Sequence, residues 1–180
     1  MFPERILLLV KPKSCEFESA IKDIKLNRFI LRKLSYCYEL DFRTTDIQTD
    51  LTKIQNICDI ISVERAEELP SDLSQNEPIN HNLIIREAQS LIARERYWKA
   101  HVLLEIIWNK ETGYYRKGIQ GLIWLLVALV HYQMQEPSVS DEVFKRARTR
   151  MQESGFGDIC SQLPETFVYP ITLNLESLLR

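Results

Sequence analysis

His101 and Glu105 are the residues whose types and spacing most clearly suggest chemistry. They are four positions apart, so in a helix they share one face, with Tyr97 and Trp108 beside them. On that face an imidazole can act as a general base or a metal ligand, with the carboxylate orienting it or serving as a second ligand. A His–Glu pair is also common as a hydrogen-bonded pair within a core, and the sequence leaves both interpretations open.

The segment that carries this pair, Tyr97–Asn109, is apolar on nearly every side of a helix. Such a pattern predicts a buried helix. A carboxylate buried without a partner costs several kcal/mol or becomes protonated. We therefore expect Glu105 either to have a partner or to line a solvent-filled pocket.

A following helix, at about residues 114–135, offers that partner. If the two helices form an antiparallel hairpin, Gln120 lies level with His101, whereas His131 lies roughly 15 Å further along at 1.5 Å per residue. This spacing favours a cluster of His101, Glu105 and Gln120 and disfavours a metal site shared with His131. The candidate ligand-binding residues are His101, Glu105, Trp108, Gln120, Trp124 and His131.

Several of these candidates also have a structural interpretation. His131 suits a helix cap or surface position, and Trp124 with the other tryptophans suits a core better than a ligand-stacking box. Gly118 and Gly121 remove side-chain bulk near the start of the second helix, which permits close approach of a neighbouring helix or a ligand.

The elements that must position these residues fall into two parts. Residues 1–69 predict a small α+β domain whose βαββαβ order is ferredoxin-like. Residues 70–80 are polar and bracketed by prolines, as expected of a linker. Residues 81–180 predict an all-α domain of about five helices, with helices at about 81–94 and 96–109 separated by a tight turn and a later helix capped by Ser138 or Ser140.

Two stretches resemble one family of proteins. The first is Tyr97–Trp108, and the second is Gly118–Ile123 followed by Ala128–His131. Together they resemble the uncharacterised prokaryotic family labelled domain of unknown function three-hundred-and-nine, over about residues 85–180. The resemblance implies a multihelical domain but no activity. The positions that match the family pattern are His101, Glu105, Trp108, Gln120, Gly121 and His131. At two other positions Val102 and Trp124 replace residues that are usually polar in the family.

Composition and charge argue against a nucleic-acid-binding, secreted, membrane-spanning or zinc-binding protein. The net charge is −2, without the basic excess of a nucleic-acid-binding domain. The apolar runs are too short for a signal-peptide core or a membrane span, so we expect a cytoplasmic protein. Four cysteines match no zinc module and are expected to be small buried hydrophobes. The sequence specifies no cofactor.

Two functions follow from these observations. The first is a binding or interaction module that holds a small ligand or a protein partner in a groove near His101 and Glu105, with the N-terminal part as a second recognition or dimerisation surface. The second is a hydrolase-type enzyme, metal-dependent or not, that uses His101 and Glu105. No catalytic or phosphate-binding motif decides between them.

Overall fold

The chain divides into two compact units, Met1–Glu77 and Pro78–Arg180. This is seen in a computed structural model, which describes residues 3–65, 80–169 and 171–179. Of the expected linker at 70–80, only Asn80 is among the described residues.

The N-terminal unit is a four-stranded antiparallel sheet with strand order β2-β3-β1-β4 and two helices. This is the ferredoxin-like arrangement, and the α+β prediction for this part is confirmed. Its elements are β1 Glu4–Pro12, α1 Phe17–Asp23, β2 Asn27–Lys33, β3 Tyr38–Thr44, α2 Ile47–Gln55 and β4 Cys58–Arg65.

The alternating residues of the two central strands build the core of this unit. Ile6 lies opposite Phe42, and Leu8 lies opposite Leu40, with all four side chains fully buried. Because side chains alternate across a strand, this places one apolar face of the sheet against the helices. Asp46 starts α2 by accepting a hydrogen bond from the Thr49 backbone N–H at 3.1 Å.

The C-terminal unit is all-helical, which confirms the prediction of a multihelical domain. Its elements are α3 His81–Ala93, α4 Tyr97–Lys110, α5 Gly113–Gln133, α6 Pro137–Gln152, α7 Gly157–Ser161 and a 3-10 helix at Leu175–Leu179. The centre is α5, which packs against both α4 and α6. Its buried residues include Leu122, Leu125, Leu126 and Leu129.

Two connections fix the paths of these helices. Between α3 and α4, Glu95 adopts a left-handed φ of 58°, and its carbonyl accepts a hydrogen bond from the Gln133 side chain at 2.8 Å. Before α6, the capping position is Glu136 and not Ser138 or Ser140, since Pro137 already occupies the first helical turn. Ser140 is instead buried inside the helix and donates to the Ala128 carbonyl at 2.7 Å.

The structure bears on the expected absence of a membrane span and on the expected burial of the cysteines. None of the described helices is both long and apolar enough to cross a bilayer. Three of the cysteines are buried, but Cys15 is exposed, so the expectation of four buried thiols is wrong for that residue. Cys15 lies in the connection between β1 and α1, outside both elements.

Candidate functional site

The helix that carries His101 and Glu105 is buried on one side only. Tyr97, Ala100 and Leu104 face the core, whereas Glu105 is exposed and His101 is half-buried. The expectation of a helix buried on nearly every side is therefore wrong. In a unit of this size α4 meets the core through a single stripe, and its remaining apolar residues lie partly at the surface.

Trp108 and Arg116 link the end of α4 to the start of α5. The guanidinium carbon of Arg116 lies 4.1 Å from the centre of the Trp108 ring, and its Nη1 donates to the Glu111 carbonyl at 3.2 Å. The Trp108 indole N–H is buried and has no acceptor among the described residues. The cation–π interaction with the Trp108 ring and the hydrogen bond to the Glu111 carbonyl together hold the Arg116 guanidinium in place.

Gln120, one turn after Arg116, is held by Arg150 of α6. Both Nε and Nη2 of Arg150 donate to Gln120 Oε1, at 2.9 and 2.7 Å. A guanidinium only donates, so the atom it meets must be the amide oxygen. The amide NH₂ of Gln120 therefore points away from Arg150, and neither of its hydrogens meets an acceptor in the described ranges.

The Trp108–Arg116 contact sets the alignment of the two helices. Only two residues connect α4 to α5, so the helices are antiparallel neighbours. At 1.5 Å per residue, Glu105 and Gln120 lie about 4.5 and 6 Å from that contact in the same direction. By the same measure His101 and Trp124 lie about 10 and 12 Å away. The candidate residues thus occupy matching heights on two neighbouring helices.

His131 is the candidate that lies apart. It is about 22 Å from the Arg116 level, beyond the start of α4. Its Nδ1 lies 2.6 Å from Glu136 Oε2, across the turn that joins α5 to α6. Trp124, on the same stripe of α5, is half-buried and packs against the hydrophobic core.

Sequence reasoning missed Arg116 and did not connect Arg150 to Gln120. A signal for Arg116 was present, since it precedes Gln120 by four residues and so shares its helix face. No local signal could connect Arg150 to Gln120, because they are 30 residues apart in the chain.

Tyr97, the aromatic residue at the start of α4, remains a neutral phenol. Burial, with a further contribution from the negative charge of Glu95, raises the pKa of Tyr97 to about 12. The phenol is therefore protonated at neutral pH and cannot serve as a base there. The described residues also contain no group of three or more His, Cys, Asp or Glu side chains arranged to hold a metal ion.

Comparison with known proteins gives one match. Neither the curated proteins nor the solved structures compared with this chain include a significant match. A family model matches residues 85–142, which run from α3 into α6 and include all six candidate residues. The resemblance predicted from the sequence is confirmed: residues 85–142 of this chain are a match to the family described as Domain of unknown function (DUF309).

Proposed function

We propose that the helical domain is a binding module and that its ligand lies on the face formed by α4 and α5 around Glu105 and Gln120. We call this face, with Trp108, Arg116 and Arg150 at its borders, the α4–α5 face. The observation that carries the proposal is the orientation of Gln120, whose amide NH₂ is turned away from Arg150 by two hydrogen bonds.

The cost of that arrangement supports a binding role. Gln120 and Arg150 are long, flexible side chains, and ordering each of them costs about 1.5–2 kcal/mol of conformational entropy. A surface glutamine held in one orientation presents the same two donors at all times. Such preorganisation lowers the cost of binding a ligand that accepts from them.

The hydrolase alternative has no comparable support. It requires Glu105 to orient His101 or to share a ligand with it. Glu105 is exposed, and it makes no hydrogen bond or ion pair with any residue of the described ranges. These observations support the binding function over the hydrolase.

A thermal-shift screen of a small-molecule library tests this proposal. Compounds that bind the α4–α5 face should raise the melting temperature of the wild-type protein and should lose that effect in Gln120→Ala. The matched control is Gln152→Ala, an exposed glutamine on α6, which should respond like the wild type. A screen without hits, or hits that stabilise Gln120→Ala equally, would refute a binding role for this face.

A further inference from the structure

The two arginines of the α4–α5 face are ordered by neutral groups. Arg116 lies over the Trp108 ring and donates to a backbone carbonyl, and Arg150 donates twice to an amide oxygen. Within the described residues, the nearest carboxylate oxygen to either guanidinium is on Glu153, 3.9 Å from Arg150 Nη1, and its side chain is 60% exposed. An exposed pair at that distance contributes little.

Two other arginines of the chain are ordered by carboxylates. Arg32 donates to the carboxylates of Glu39 and Asp41 at 2.8 and 3.1 Å, and Arg146 pairs with Glu142. Their charges are balanced by direct contact with an acid. Among the described residues, Arg116 and Arg150 are held in fixed positions without such a contact with an acid, so both guanidiniums can form charge-assisted hydrogen bonds with an anion.

Two neutral N–H groups beside these arginines also lack an acceptor among the described residues. The Trp108 indole N–H and the Gln120 amide NH₂ only donate, and none of these hydrogens meets an acceptor in the described ranges. Arg116 and Gln120 are one helical turn apart, and the Arg150 guanidinium is hydrogen-bonded to the Gln120 side chain. Along the axis of α5, the positions of Arg116 and Gln120 are therefore about 6 Å apart.

We propose that the α4–α5 face binds a small dianion whose two carboxylate or phosphate groups are received by Arg116 and Arg150. The Gln120 amide supplies a neutral donor to the same oxygens, and the Trp108 indole N–H, buried beside Arg116, reports on that side of the site. This inference rests on the proposed binding function and names the chemical class of its ligand. Glu105, exposed at the height of Gln120, borders the anion site on the side of α4.

Nuclear magnetic resonance of the full chain tests the proposal directly. The chain has three tryptophans, so the indole N–H region contains three signals, and Trp108→Phe identifies that of Trp108. Titration with succinate or with inorganic pyrophosphate, at constant ionic strength, should shift the Trp108 signal in a saturable manner. Succinate and pyrophosphate distinguish the carboxylate source of the dianion from the phosphate source.

Variants connect the shift to the two arginines. Arg116→Met and Arg150→Met keep the apolar stem and remove the charge, and each should weaken binding by about tenfold or more. Arg146→Met, on the same helix as Arg150, should bind like the wild type. If one methionine variant fails to fold, as judged by its melting temperature, dianion binding is measured with the variant at the other arginine.

The results separate this inference from the proposed function. If neither dianion shifts the Trp108 signal while a neutral or cationic library compound does, the anion assignment is wrong and the binding function stands. If no compound of any charge binds the face, both fail. Equal weakening in Arg146→Met and Arg150→Met would show general charge attraction and would also overturn the anion site.

Discussion

Gly121 shows how a single residue sets the distance between two helices. A Cβ placed on it would collide with Met151 Cγ and would lie 3.1 Å from the Met151 backbone nitrogen and 3.3 Å from the Ala147 carbonyl oxygen. The Met151 side chain can rotate, but the backbone of α6 cannot move without disturbing the core. We expect Gly121→Ala to lower the free energy of unfolding by about 1–3 kcal/mol.

Urea unfolding followed by tryptophan fluorescence measures this change, because Trp98, Trp108 and Trp124 all belong to the helical unit. The matched control is Gly157→Ala, where an added Cβ would meet no atom within 4 Å. That variant should stay within about 0.5 kcal/mol of the wild type. Similar losses in both variants would mean that close packing of α5 on α6 is not the cause.

Gly121 and Gln120 also show what the sequence predicts at the residue scale. Glycine spacing predicted close approach to some neighbour, and this neighbour is α6, the next helix in the chain. Gln120 was expected beside His101, on the reasoning that the preceding helix would supply its partner. Its amide oxygen instead accepts hydrogen bonds from Arg150 of α6. Which of two neighbouring helices a side chain meets depends on the rotation of its own helix about the axis, which periodicity does not determine.

At the scale of elements, the strands of the N-terminal unit are joined by charges as well as by apolar contacts. Asp41 of β3 accepts two hydrogen bonds from Arg5 of β1, at 2.9 and 2.7 Å, and one from Arg32 of β2 at 3.1 Å. The side chains of Asp41 and Arg32 are each 5% exposed. Period-two alternation predicted these strands and their apolar face, but it carries no information on which charges meet across them.

The pKa of Asp41 gives this network a pH dependence. Burial opposes the charged form, but the hydrogen bonds from Arg5 and Arg32 and their positive charges outweigh it and lower the pKa of Asp41 below 3.8. The folded carboxyl thus binds fewer protons than the unfolded one. Its contribution to stability is present above pH 3.8 and is lost as the pH falls through the lowered value.

We expect Asp41→Asn to destabilise the N-terminal unit by about 3 kcal/mol at pH 7, because it leaves the buried Arg32 charge less well balanced. The difference from the wild type should shrink as the pH is lowered below 3.8. Hydrogen exchange of the β1 and β3 amides measures this unit alone. Asp23→Asn, at the exposed end of α1, should have little effect. A difference that does not change with pH would contradict the role assigned to the Asp41 charge.

At the scale of the whole molecule, the buried residues that the structure describes form two hydrophobic cores. The buried residues of one all precede residue 60, and those of the other all follow residue 80. The family match falls within the second unit only. Every residue of the α4–α5 face also belongs to that unit, although Arg150 lies outside the matched range. The proposed binding function is therefore a property of the helical unit.

This separation predicts that residues 78–180, produced alone, fold and retain the α4–α5 face. A helical fragment of this size buries about two thirds of its surface, enough for a cooperative core without a disulfide or metal.

Circular dichroism of the fragment should show a helical protein with a single cooperative urea transition. Its free energy of unfolding should match that of the tryptophan-monitored transition in the full chain. A dianion that shifts the Trp108 signal of the full chain should also shift that of the fragment. A fragment without cooperative unfolding would show that the second core needs residues 1–77, and a folded fragment that no longer binds the dianion bound by the full chain would place part of the site outside the helical unit.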